Sequence, residues 1–349
     1  MRLMLTCLGS GLGVSGCLAQ QPAPVPEVFR TGAFSWAASA PLFSRDRRTD
    51  DPQYSVKDPT IVRFRDRWHV FYTVRRQTRT HSIEHVSFAD WSEMDSAQRT
   101  VLTCREGFFC APQVFFFRPQ RRWYLVYQVG EPARNLKLQP AFSTTETLDA
   151  PDSWTPASLF FPDSDPPGVS QWIDFWVICD DTRAYLFFTS LDGHLWRMWT
   201  PISDFPLGFR DCQLALETDI FEAGHIYRLL RTNQYLAAIE AQHGGGRYYV
   251  AYLADRLDGA WRALAPSWEK PFASRENAEQ PTGRWTDNIS HGELLRGGYD
   301  ETLTVDPTHL QFLFQGVSSA DMAGRKYGEI PWQLGLLTAG DGGERTGDR

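Results

Sequence analysis

The 349-residue sequence has no long stretch of amphipathic helical periodicity, which argues against a helical bundle or a helix-covered parallel sheet. It has no extended block of Lys or Arg. Arg45, Arg47 and Arg48, and the pair Arg75 and Arg76, are short solvated clusters in a chain of net charge −7, and a nucleic-acid partner is excluded. After the first twenty residues no segment is apolar enough to span a membrane. Neither a phosphate-cradling Gly loop nor a dinucleotide fingerprint occurs. His243-Gly244-Gly245-Gly246 has the look of an oxyanion loop, but there is no G-x-S-x-G elbow to supply a serine, so it is expected to be a hairpin turn. Cysteine is scarce, at six residues, and its spacing does not suggest a zinc site.

What is present is an ordinary globular composition, 42% hydrophobic and 22% charged, enough for a sizeable core. Residues 1–19 have the form of an export signal, with Arg2 followed by the apolar stretch Leu3–Leu18, so a secreted protein is expected. Val14-Ser15-Gly16-Cys17 also fits a lipoprotein box, which leaves lipid anchoring through Cys17 as the alternative. Residues 20–30 open on a Pro-rich leader expected to be disordered, and 339–349 form a Gly- and charge-rich tail expected to be flexible. Of the cysteines beyond the signal, Cys104 and Cys110 are spaced for a local bridge, whereas Cys179, inside an apolar run, is either bridged or a buried thiol; Cys212 completes the set. Asn288-Ile289-Ser290 matches a glycosylation acceptor, but its place beside a candidate site residue argues against modification.

Residues 31–338 read as strands, and the strands repeat. Trp68–Val74, Arg122–Gln128, Ala184–Ser190, Gln234–Glu240 and Leu310–Gly316 each follow a short turn and, before it, another apolar segment: Ile61–Phe64, Val114–Phe117, Val177–Cys179, Ile226–Leu229 and Leu303–Val305. These five hairpins start 50 to 76 residues apart. A β-sandwich or two small β domains could hold such hairpins, but the even spacing favours an all-β, five-bladed β-propeller with about four strands per blade.

In a propeller the first strand of each blade lines the central channel, so residues just ahead of those strands converge at one mouth. Counting back three places gives Asp58, Ala111 and Asp174; Glu222 takes the fourth slot with its register one residue less certain, and His291 takes the fifth if that strand begins at Leu294. Three carboxylates would then crowd together beside apolar runs. Mutual repulsion and desolvation raise carboxyl pKa values, as a general acid requires. Paired carboxylates at a mouth rich in aromatics suit glycosidic bond hydrolysis, one protonating the leaving oxygen and the other activating water or attacking directly.

These residues resemble glycoside hydrolase family 62, the α-L-arabinofuranosidases acting on arabinoxylan. The resemblance runs from Phe34-Ser35-Trp36 to Pro331-Trp332 and rests on Lys57-Asp58-Pro59-Thr60, Ala111-Pro112-Gln113-Val114-Phe115, Asp174-Phe175-Trp176-Val177, Leu191-Asp192-Gly193-His194, Phe221-Glu222-Ala223, Ile289-Ser290-His291-Gly292-Glu293 and Leu310–Gly316. It implies an inverting glycosidase working as a monomer, with Asp58 as general base, Glu222 as general acid and Asp174 as the carboxylate that orients the acid and keeps it protonated. It further implies that Lys57 and Tyr327 bind substrate and that His291 is a ligand of a structural calcium ion in the channel. Two departures touch polymer binding: Gly328 follows Tyr327 where the family has Asn, and Gln333 replaces a basic residue after Pro331-Trp332. A family 43-type propeller glycosidase (β-xylosidase or arabinanase) and a non-catalytic sugar-binding propeller are the competing readings.

Overall fold

The computed structural model describes residues 25–47 and 50–340. The expected signal, Cys17 and most of the tail lie outside them. Five separate sheets succeed one another along the chain. Blade one holds Gln53–Phe64, Arg67–Arg76, His81–Phe88 and Thr100–Val101; blade two holds Phe109–Phe117, Arg122–Gly130, Leu138–Thr145 and Ser158–Leu159. Blade three holds Ile173–Cys179, Arg183–Thr189, His194–Pro201 and Arg210–Glu217. Blade four holds Glu222–Leu229, Tyr235–His243, Gly246–Ala254 and Arg262–Ala265. The first strand of each is the innermost, and innermost strands of neighbouring blades pack on one another around the axis. The turns behave as their residues dictate. Arg65 and Asp66 both take left-handed φ, 50° and 61°, as a two-residue hairpin loop requires. Gly244 and Gly245 do the same between the second and third strands of blade four, so the His-Gly-Gly-Gly segment is a hairpin turn.

Blade five departs from expectation. Its innermost strand is Asn288–Leu294, paired with Gln311–Val317, and not Leu303–Val305. Thr304–Val305 instead runs parallel to Arg228 and Leu229 and extends blade four. The inner strand was obscured because Asn288, Ser290, His291 and Glu293 make it polar, although these residues are buried against other polar groups rather than turned to solvent. Outward from Gln311–Val317 come Gln333–Ala339, then Trp36–Ala38 from the beginning of the chain, then Ala278–Glu279. The ring is therefore closed by an N-terminal strand inserted into the last blade. Order also begins earlier than residue 31: Val28–Thr31 is a single helical turn whose Phe29 is buried against Phe34, ring centroids 5.9 Å apart.

Apolar cores fill the spaces between blades, Phe71, Trp123 and Tyr127 between the first two, and Trp176, Tyr227 and Phe312 among those of the later blades. Cys104, Cys110, Cys179 and Cys212 are all free thiols. The expected Cys104–Cys110 bridge is absent because the two face different surroundings: Cys104 sits in the core between blades one and two, while Cys110 accepts from Gln128 Nε2 at 3.3 Å and faces the channel mouth. Asn288 is fully buried with its amide donating to Val317 O at 3.0 Å, which rules it out as a sugar acceptor in the folded chain. Among the described residues no helix is long and apolar enough to cross a membrane.

Candidate active site

Each innermost strand is broken by a bulge at the same level: between Lys57 and Thr60, Cys110 and Gln113, Ile173 and Trp176, Glu222 and Gly224, and Ser290 and Gly292. A bulge frees a backbone N–H and re-aims a side chain. At four of the five the bulged residue is held at positive φ without being glycine: Asp58 at 49°, Ala111 at 52°, Asp174 at 56° and Ala223 at 49°. Such conformations are uncommon for residues with a Cβ and cluster where function imposes them. The equivalent of Asp58 and Asp174 in blade four is thus Ala223, and Glu222 stands one residue ahead of it.

The freed N–H groups are satisfied by a relay from blade to blade. Asp58 N–H donates to Gln315 Oε1 (2.7 Å), Ala111 N–H to Thr73 Oγ1 (2.8 Å), Asp174 N–H to Gln128 Oε1 (3.2 Å) and His291 N–H to Glu240 Oε2 (2.7 Å). Each acceptor sits on the second strand of the preceding blade, opposite the residue before that blade's own bulge. Blade three breaks the series. Its residue at that position, Thr189, has a buried hydroxyl without a partner, and Ala223 N–H donates to the Asp174 carboxylate at 3.1 Å. The Asp174 side chain is thus anchored by the one bulge N–H donor that finds no relay acceptor.

The mouth so built is a cavity of about 410 Å³ lined by Lys57, Asp58, Asp174, Glu222, Arg247, His291 and Tyr327, with His81, Phe108, Cys110 and Ile173 among its walls. All six residues singled out from the sequence meet there. Asp58, Asp174, Glu222, Lys57 and His291 are each less than a tenth exposed, whereas Tyr327 stands at the rim with 48% of its surface open. Lys57 Nζ lies 3.7 Å from Asp58 Oδ2 and 4.9 Å from the centre of the Tyr327 ring. His291 Nδ1 lies between two carboxylates, 3.6 Å from Asp58 Oδ1 and 3.7 Å from Asp174 Oδ2. Behind it, His225 stacks on Trp176 at 4.0 Å with its Nδ1 2.8 Å from Gly292 O.

Their environments drive the carboxylates apart. Burial alone would raise Asp58, but Lys57 and then His291 outweigh it and hold the group below the usual carboxylate range. Burial, then the charges of Asp58 and Glu240, push Asp174 up to about 7. Burial, then Glu240 and Asp174, push Glu222 up to about 8 against the pull of Arg247. Lys57, which burial alone would neutralise, is held charged chiefly by Asp58. His81 is lowered to about 4 by burial and by Lys57, and Cys110 is raised to about 12 by burial and by Asp58, so neither carries charge into the cavity near neutral pH. One carboxylate is ready to accept a proton while another holds one.

Two participants have no counterpart in the sequence reading. Arg247 Nη1 donates to Glu222 Oε1 at 2.7 Å and to Glu240 Oε1 at 2.5 Å. Glu240 is fully buried and pairs directly across the sheet from Glu222. The signal was a charge closing the apolar run Tyr235–Glu240, where an unpaired carboxylate is too costly to be accidental.

Across residues 31–338 the chain matches the model of glycosyl hydrolase family 62. It is 38% identical over 311 residues to α-L-arabinofuranosidase C of Cellvibrio japonicus (strain Ueda107), an overlap of 86% of this chain and 46% of that protein, so the chain spans about half the length of this relative. The catalytic domain of the Coprinopsis cinerea family 62 α-L-arabinofuranosidase superposes with a TM-score of 0.82 at 36% identity, over 88% of this chain and 98% of that one. An α-L-arabinofuranosidase of Podospora anserina solved with cellotriose gives 0.81 at 32% identity, over 89% and 98%. With the family model spanning all five blades and every strand that brings a carboxylate to the mouth, the chain belongs to glycosyl hydrolase family 62.

Proposed function

We propose that this protein hydrolyses the bond joining α-L-arabinofuranosyl side groups to the xylan backbone of arabinoxylan, with inversion at the anomeric carbon. The observation that carries the reading is the opposite displacement of Asp58 and Glu222 within one cavity. Names of the relatives point to the same sugar. Asp58, ionised beside Lys57, acts as general base on a water at the anomeric carbon. Glu222, protonated below about pH 8, donates to the glycosidic oxygen as the xylan chain leaves. Asp174, anchored by Ala223 N–H, gains negative charge near Glu222 as it ionises through about pH 7 and so opposes ionisation of the acid. Lys57 orients the arabinose, and Tyr327 at the rim offers its ring to the polymer.

The calcium implied by the resemblance finds little protein to hold it. Among the described residues no group of three or more His, Cys, Asp or Glu side chains converges on a metal position, and the His291 Nδ1 is aimed at Asp58 and Asp174. A hard cation prefers six or more oxygens, so a calcium ion beside His291 would take most of its ligands from water and have a structural role. A polymer substrate is consistent with export under the signal at residues 1–19.

The test is ¹H NMR of wheat arabinoxylan during digestion. The expected result is release of free arabinose, appearing first as the β-anomer. Absence of arabinose release, or first appearance of the α-anomer, rejects the reading.

A further inference from the structure

The arrangement around Arg247 poses a problem for the reading above, on which this inference rests. A buried guanidinium bonded to a carboxyl normally stabilises the carboxylate, and a general acid so treated would lose its proton before the reaction. Yet Arg247 touches Glu222 at 2.7 Å, and it is firmly held: its backbone N–H donates to Asn288 Oδ1 at 2.9 Å and its guanidinium lies 4.4 Å from the centre of the Phe221 ring.

The second carboxylate resolves the problem. Glu240 takes the same Arg247 nitrogen at 2.5 Å, and its other partners are all donors: Ser290 Oγ at 3.0 and 3.1 Å and His291 N–H at 2.7 Å. With Glu222 protonated, Arg247 and Glu240 sum to zero charge. Ionising Glu222 places a net negative charge in a buried site, with Asp174 adjacent. The other charged or titratable groups acting on Glu222 are Lys57, from blade one, and Tyr327, from the rim loop, whose ring also lies 6.0 Å from the Arg247 guanidinium.

We propose that Glu240 is a positioning residue whose charge matches that of Arg247, so that Arg247 can orient the Glu222 carboxyl without stripping its proton. Three successive strands of blade four supply the three side chains, and the second-strand site that elsewhere holds a neutral Thr or Gln here holds a carboxylate.

The experiment compares Glu240→Gln with the double variant Glu240→Gln/Arg247→Met, on arabinoxylan and on 4-nitrophenyl α-L-arabinofuranoside, whose leaving group needs little protonation. In Glu240→Gln the alkaline limb of kcat/KM should move down by about two pH units or more. Activity at pH 7 should fall about tenfold or more on arabinoxylan and less than about threefold on the nitrophenyl glycoside. The double variant should return the alkaline limb towards the wild-type position, whatever its KM. Should Glu240→Gln not fold, the double variant, whose charge is balanced, carries the test alone: a limb at the wild-type position supports the proposal. An unmoved limb in Glu240→Gln, equal losses on both substrates, or a displaced limb in the double variant overturns it. Failure of the wild-type protein to release arabinose would instead reject the functional reading itself.

Discussion

At the mouth of the channel four carboxylates, Asp58, Asp174, Glu222 and Glu240, face Lys57, Arg247 and the His291 imidazole; roughly 10 Å further along the same strands a single carboxylate, Glu293, faces a single guanidinium. There Arg296 Nε lies 2.7 Å from Glu293 Oε1, while its Nη2 donates to Ile61 O and Val114 O at 2.7 and 2.9 Å. Glu293 accepts from Ile61 N–H in return, at 3.3 Å. The lower pair ties blade five to blades one and two and leaves no charge over. The upper cluster holds more acid than base, and its cost in stability is borne where chemistry needs a protonated carboxyl. Two buried ionic groups in one channel therefore serve different ends, and charge count distinguishes them better than burial does.

The contrast can be broken at the top first. Asp58→Ala and Glu222→Gln should each lower kcat on arabinoxylan by about 10³-fold, near 4 kcal/mol of barrier, and Glu222→Gln should do so with an unfolding midpoint no lower than that of the wild type. At the lower pair the pattern should reverse. Glu293→Gln strands the Arg296 charge and should cost about 3 kcal/mol in denaturant unfolding, with kcat of the folded fraction within about twofold of wild type. Asp174→Asn keeps an acceptor for Ala223 N–H but removes a carboxyl whose folded pKa, about 7, lies above its unfolded value. Such a group loses stability as pH rises from the unfolded to the folded pKa. The variant should thus match the wild type near pH 4 and gain about 3 kcal/mol on it by pH 7, as thermal unfolding at the two pH values would register.

A finer cut comes from the pH–rate profile. Activity should decline as pH rises through about 8, where Glu222 gives up its proton, and persist at acidic pH until Asp58 takes one up below the usual carboxylate range. The smallest effects belong to the relay between blades. Thr73→Val removes the acceptor of Ala111 N–H and should destabilise by about 1–2 kcal/mol, whereas Thr189→Val removes a hydroxyl that bonds to nothing and should be neutral within about 0.5 kcal/mol. Equal costs for the two would show that the relay contributes nothing.

Much of this was legible from the chain alone. The outer hairpins announce themselves because aromatic and β-branched residues alternate toward a core, and Asp58 and Asp174 are conspicuous as charges abutting apolar runs. Glu222 was found one residue out of step because it stands just before its bulge, at the position Lys57 holds in blade one, while Ala223 takes the Asp58 slot, and side-chain pattern does not record where a bulge falls. Blade five resisted for a related reason: Asn288, Ser290 and Glu293 are buried yet polar, since their partners Arg247, Glu240 and Arg296 come from elsewhere in the chain or beyond the strand. Arg247 and Glu240 were missed because a buried ion pair shows its meaning only when both members and the third group they share are seen together.

Trp36–Ala38 lies between Gln333–Ala339 and Ala278–Glu279, with the Trp36 indole donating to Phe272 O at 2.5 Å. Some three hundred residues separate the two halves of that seam, so it can form only after synthesis of the chain is nearly complete. Assembly of the ring ends with its most distant pairing, the kind of contact whose loop-closure entropy makes folding slow. Once made, the seam sets the first and last described strands side by side, so that loosening either one exposes the edge of the other.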